Sequence, residues 1–119
     1  MIALTLCLVA AVPDGDTIRC ADGTRLRLAA IDAPEIGNHC RPGRRCAPGD
    51  PLASRANLRR LAPRGSWIRY EIVDANLCHR GFDWTDHYGR RVVRAWAGGV
   101  DLSAAQLRGG FAVRWSCKR

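Results

Sequence analysis

The stretch Thr17-Ile18-Arg19-Cys20-Ala21-Asp22-Gly23-Thr24-Arg25-Leu26-Arg27-Leu28 decides the architecture of this chain. Asp22-Gly23 stands between two short segments, and glycine there accepts the positive φ that a tight hairpin turn requires. In Arg25-Leu26-Arg27-Leu28 the leucines fall on one face of an extended segment and the arginines on the other. Thr17–Cys20 and residues 24–30 are therefore expected to be two strands of one hairpin. Upstream, residues 4–12 are apolar with β-branched members and end at Pro13-Asp14-Gly15, which reads as a first strand followed by a turn.

Downstream, residues 36–49 mix proline and glycine breakers with Arg41, Arg44 and Arg45, and form a basic loop. Asp50-Pro51 then starts a helix, because aspartate caps the free amides and proline suits the first helical position. That helix should reach about Leu61, with Leu58, Leu61 and Ala62 on its buried stripe, and stop at Pro63 and Gly65. Residues 67–73 alternate as a fourth strand and Arg91–Ala97 as a fifth. Asp101 caps a short helix over Leu102–Arg108, Gly109-Gly110 ends it, and residues 111–115 are extended. Three strands, a helix, two strands and a helix suit one α+β domain over residues 1–119, mainly β. The plan is a five-stranded Greek-key barrel of the OB-fold type with two helices. Fold alone does not assign a function.

The 119 residues suffice for one core. A hydrophobic fraction of 47% and a charged fraction of 25% exclude a disordered chain. The net charge of +8 is carried by eighteen arginines and a single lysine. Arginine's planar fork grips phosphate with two parallel hydrogen bonds, so the excess suits a polyanionic partner. An arginine-rich composition without such a partner is the plainer reading. No stretch is long enough to span a bilayer. Residues 1–12 lack a basic leader and a clear cleavage site, and read as strand rather than signal peptide.

Six cysteines, Cys7, Cys20, Cys40, Cys46, Cys78 and Cys117, are many for a cytosolic chain of this length. An even count favours disulfides and a secreted or periplasmic location, with the connectivity left open. Cys40 and Cys46 flank the basic loop and are the favoured pair. A zinc site using His39, Cys40, Cys78 and His79 competes, although the paired Cys-x-x-Cys spacing of a zinc ribbon is missing.

Three segments carry acids and arginines at positions that packing does not require. They are Asp14-Gly15-Asp16-Thr17, Arg27 with Asp32-Ala33-Pro34-Glu35, and Asp86-His87-Tyr88-Gly89-Arg90. Each alone reads as a turn, a rim salt bridge or a solvated strand end. Together they supply hard oxygen ligands, a base and two phosphate forks, the components of metal-assisted phosphoryl transfer.

In order and spacing these segments resemble the signature of the staphylococcal nuclease (thermonuclease) family. The closing Asp101-Leu102 and Leu107-Arg108-Gly109-Gly110-Phe111-Ala112 resemble that family's last barrel segment, so the similarity covers nearly the whole chain. The resemblance implies a calcium-dependent nuclease acting on DNA and RNA, preferring single strands, and a monomer. It implies that Asp16 and Asp32 ligate Ca2+ through carboxylates, and Ala33 through its backbone carbonyl where the family often has threonine. Glu35 would be the general base, and Arg27 and Arg90 would grip the scissile phosphate, with Tyr88 and His87 beside the substrate. Asp16, Asp32 and Glu35 are expected to converge around a cation, with the guanidinium groups of Arg27 and Arg90 facing it across a cleft.

Departures from the family pattern bear on the substrate. Ser116-Cys117-Lys118 stands where the prototype has a tyrosine pair lining its nucleotide pocket, which leaves Trp115 or Tyr88 to stack on a base or to serve as core. His87 stands where lysine is common. The sequence ends where the family usually continues into a C-terminal helix. Two other readings remain: a non-catalytic nucleic-acid-binding module on the same barrel, and a disulfide-stapled basic adhesion or inhibitor domain.

Overall fold

In a computed structural model of the chain, residues 5–38, 46–75, 83–86 and 88–115 are described. β1 (Thr5–Asp14), β2 (Thr17–Cys20) and β3 (Arg25–Leu28) form an antiparallel meander. The short strand β4 (Ile31–Asp32) and a 3-10 turn at Ile36–Asn38 follow, before helix α1 (Pro51–Leu61). Then come β5 (Trp67–Ile72), β6 (Arg91–Ala97), β7 (Val100–Asp101), helix α2 (Leu102–Arg108) and β8 (Val113–Arg114). The sheet order is β3-β2-β1-β5-β6-β7, and a further pairing of β3 with β6 closes five of these strands into a barrel. That closing pair is parallel, with Arg27 opposite Val92 and Leu28 opposite Val93. Closure removes the open edges of the sheet.

The alternation read in the sequence sets the core. Leu26 and Leu28 are fully buried and pack with Val9, Ile18, Ile68 and Val93 inside the barrel. Both helices begin as expected. Asp50 accepts from the amides of Leu52 and Ala53 at 2.9 and 3.3 Å, and Asp101 accepts from Ala104 at 3.1 Å. Of the stripe on α1, Leu58 and Ala62 are buried and Leu61 packs partly against the core.

Two two-residue strands, β4 and β7, were not foreseen. β4 pairs with β8, so the segment expected to be extended over 111–115 is strand only at Val113–Arg114. β7 adds to β6 through Ala97 and Val100. Such elements are too short to carry a hydrophobic period of their own, and tertiary pairing makes them. The first strand also runs two residues past Val12, through Pro13 to Asp14, with register irregularities against β2.

Cys7 and Cys20 form a disulfide that links β1 to β2. Cys46 is also disulfide-bonded. The expected pair Cys40–Cys46, and the zinc ligands His39, Cys40, Cys78 and His79, lie on or involve positions outside the described residues. Among the described residues, no helix is long and apolar enough to cross a membrane.

Candidate active site

The turn between β1 and β2 is the foundation of the site. It is pinned to β3 by the Leu28 amide, which donates to the Asp16 carbonyl at 2.8 Å. Its centre, Gly15, runs so close to α1 that an added Cβ would lie 1.8 Å from Ser54 Oγ. Gln106 of α2 is fully buried and donates from Nε2 to the carbonyls of Gly15 (2.7 Å) and Ser54 (3.0 Å). Its Oε1 accepts from Asn57 Nδ2 at 2.7 Å. One side chain thus ties both helices to the turn that carries Asp14 and Asp16.

Asp16 is 6% exposed. Its Oδ1 accepts from Thr17 Oγ1 at 2.9 Å, and its Oδ2 accepts from the Ala33 amide at 3.0 Å. Arg27, on the face of β3 opposite the buried leucines, brings Nη1 to 3.2 Å from Asp16 Oδ2 and Nη2 to 3.5 Å from Asp32 Oδ1. Nη1 also donates to the Leu28 carbonyl at 3.0 Å. Arg27, expected to face a cation held by the acids, is itself bonded to two of them. A rim arginine next to two partly desolvated carboxylates lowers its energy by bridging them.

Asp14 adds a carboxylate that the sequence reading passed over. Its Oδ1 accepts from the Ile36 amide at the outer hydrogen-bonding limit of 3.5 Å. Burial pushes its pKa up and the neighbouring Asp16 charge adds to the rise, while the Ile36 amide, Arg90 and Arg55 pull it down. Glu35 is half-buried in the same segment, between Ala33, whose amide meets Asp16, and Ile36, whose amide meets Asp14.

Arg90 is placed by a loop that Asp86 organises. Asp86 Oδ1 accepts from the amides of Tyr88 and Arg90, both at 2.9 Å, and Oδ2 accepts from Arg90 Nε at 2.7 Å. The Arg90 guanidinium also lies 5.1 Å from the Tyr88 ring centre, a cation–π distance. An aspartate that binds amides two and four residues on is a turn device legible in sequence, yet no role had been read for Asp86 beyond membership of its motif. His87 lies outside the described residues.

Arg27, Arg90, Tyr88 and Trp115 line one cleft of about 140 Å³, open to solvent, between the β3 end and the Asp86 loop. The Trp115 amide donates to the Ala30 carbonyl at 2.9 Å, which holds the indole at the cleft wall. Ala30 itself has a φ of 65°, a backbone conformation rare outside glycine, where β3 turns towards β4. The structure thus brings Arg27 and Arg90 to one cleft and ties Asp16 and Asp32 to Arg27.

Calcium is the metal that the donor chemistry of this segment raises. Asp16 and Asp32 each lie within ion-pair distance of the Arg27 guanidinium, on different nitrogens. Among the described residues, however, no group of three or more His, Cys, Asp or Glu side chains is arranged around a common point. A hard ion held there would need further oxygen ligands from backbone carbonyls and water to reach a shell of six to eight. No family model matches the chain, and no curated protein matches it.

Proposed function

We propose that the chain is a calcium-dependent nuclease of the staphylococcal-nuclease type that hydrolyses phosphodiester bonds in DNA and RNA. The observation that carries this reading is the placing of Arg27 and Arg90 in one cleft, with two carboxylates gathered on Arg27. Asp16 and Asp32 would hold the ion through carboxylate oxygens and Ala33 through its carbonyl. Bound calcium would polarise a phosphate oxygen and lower the cost of ionising a nearby water. Glu35 is the general base that takes the proton from the attacking water. Arg27 and Arg90 meet the charge that builds on the equatorial phosphate oxygens, and removing one such donor typically costs ~3–4 kcal/mol of transition-state stabilisation. Arg90 suits that role because Asp86 holds Nε while both Nη groups stay without a hydrogen-bond partner among the described residues.

A non-catalytic nucleic-acid-binding module is the second reading. It is favoured by the Arg27–Asp16–Asp32 network, in which one guanidinium already pairs with both carboxylates.

Digestion of single-stranded DNA separates the two. The nuclease reading expects cleavage that needs calcium, stops with EDTA, and falls by orders of magnitude in Glu35→Ser. A protein that retards the same DNA on a gel but never cuts it with calcium is the binding module. Neither cutting nor retardation removes both readings.

A further inference from the structure

A second basic feature lies beside the cleft. The β2–β3 register sets Arg19 directly opposite Arg25, and both are exposed. Like charges in such a cross-strand pair repel. Arg59 joins them from α1, with its Nε donating to the Val12 carbonyl at 3.2 Å. None of the three has a carboxylate within ion-pair distance among the described residues. Together they line a shallow depression of about 350 Å³, floored by Ala11, Val12 and Thr17.

The depression and the cleft share a wall. Arg25 Nη2 donates to the Tyr88 carbonyl at 2.6 Å, and Tyr88 lines the cleft that holds Arg27 and Arg90. A chain of phosphates leaving the cleft past Tyr88 therefore meets Arg25 first, and then Arg19 and Arg59. Three guanidiniums held in one concavity repel one another, and a polyanion laid across them relieves that repulsion.

We propose that this depression is a phosphate-binding subsite for the flanking backbone of a single-stranded polynucleotide whose other phosphate sits in the cleft. The inference rests on the nucleic-acid reading of the cleft and specifies its substrate as a polymer rather than a mononucleotide. Each phosphate neutralised on a single strand changes the slope of log K against log salt concentration by about 0.7. The subsite thus gives a readout that depends on strand length and on salt.

Fluorescence anisotropy in EDTA, where nothing is cut, tests it with two labelled probes. One is a dinucleotide and the other a strand of about ten nucleotides, within the ~4–16 that one such barrel covers. The double variant Arg19→Ala/Arg59→Ala is expected to flatten the slope for the longer strand by about 1.4, twice the single-phosphate value. The dinucleotide loses less than twofold in affinity. Arg94→Ala serves as a charge control, since its guanidinium lies 3.7 Å from Glu71 and away from the depression; it should keep the wild-type slope. Circular dichroism checks that each variant is folded. A loss per charge in Arg94→Ala equal to that in the double variant would mean bulk charge and overturn the subsite. So would equal losses for both probes. A folded wild type that binds neither probe in EDTA overturns the subsite and leaves the cleft reading to the calcium-dependent digestion above; binding of both probes with unequal slopes keeps the cleft reading whatever becomes of the subsite.

Discussion

Arg27 and Asp16 form an ion pair of 3.2 Å whose side chains are only 13% and 8% exposed. Taking two charges out of water is costly, so such a pair says little about net stability while both partners stand. Removing one partner is different, because it strands a buried charge. Arg27→Ala should therefore destabilise the fold by about 3 kcal/mol, the lower end of values for broken buried pairs. Arg27→Lys should recover only part, since lysine keeps the charge but not the fork that reaches Asp32 as well. Urea unfolding at neutral pH without calcium measures both; a cost near zero for Arg27→Ala would show that Asp16 stays hydrated.

Calcium is expected to compete for the same carboxylates. At a free concentration about a hundred times its Kd, linkage adds about 2.7 kcal/mol to the stability of the folded form. Wild type should show that rise, and Asp32→Asn should lose most of it. Arg27→Ala should gain more than wild type does, because calcium then satisfies charges that the guanidinium no longer meets. Unfolding midpoints that ignore calcium in all three proteins would leave these donors without a metal.

The barrel was legible in the sequence because its signals are local. Asp22-Gly23 marked the hairpin, the Leu26–Leu28 alternation marked the inner face, and Asp50-Pro51 and Asp101 marked both helix starts. The site was legible as a set of residues but not as an arrangement. Nothing in the spacing of Asp16, Arg27 and Asp32 says that the arginine bridges the acids rather than facing them. That follows from the β3 end meeting the turn before β2, which only tertiary pairing creates. Gln106 was missed for a related reason. It reads as a polar residue on a short helix, and its i, i+4 relation to buried Leu102 was the one hint that it points inward.

Gln106 and Gly15 hold the turn bearing the carboxylates, so both should matter well beyond their size. Gln106→Leu takes from the buried Gly15 carbonyl the Gln106 amide that donates to it, at roughly 1–3 kcal/mol for a group left unpaired. Gly15→Ala drives a methyl into Ser54, where even the Ser54 Cβ is only 2.8 Å away, and overpacking of that kind costs about 1–3 kcal/mol. Adding Ser54→Gly to Gly15→Ala should restore part of the loss, because it clears the side chain but gives up the Ser54 hydroxyl's hydrogen bond to the Phe111 carbonyl and puts glycine inside α1. If the double variant unfolds as readily as the single one, the contact is not what fixes the turn. The calcium-induced shift should weaken in Gly15→Ala and return in the double variant.

The Cys7–Cys20 disulfide joins strands that already pair, with a sequence separation of 13. Constraining the unfolded chain over a loop of about this length is worth roughly 3 kcal/mol. Both cysteines lie in the core, so Cys7→Ala/Cys20→Ala should lose that amount plus a small packing term. Guanidinium unfolding of the double variant, with the remaining cysteines left oxidised, measures it. A loss below about 1 kcal/mol would place the constraint in the strand pairing itself.

Asp14 supplies a test in pH. Burial, reinforced by the charge of Asp16, raises its pKa in the folded state above the ordinary aspartate value of 3.8. For an acid shifted in this direction, the folded form binds a proton more readily than the unfolded one, so ionisation of Asp14 opposes folding. The penalty is absent below the unfolded pKa, grows between the two values, and is complete above the folded one. Asp14→Asn, which keeps an acceptor for the Ile36 amide, should therefore be more stable than wild type at neutral pH. Its advantage should shrink as pH falls through the folded pKa and vanish below 3.8. Thermal unfolding of the two proteins across that range decides the matter, because a constant difference would come from packing and not from charge. Calcium sharpens the comparison: a cation held by Asp16 favours ionised Asp14, so saturating calcium should narrow the gap at neutral pH and leave it unchanged under acid conditions, where the carboxylates are protonated.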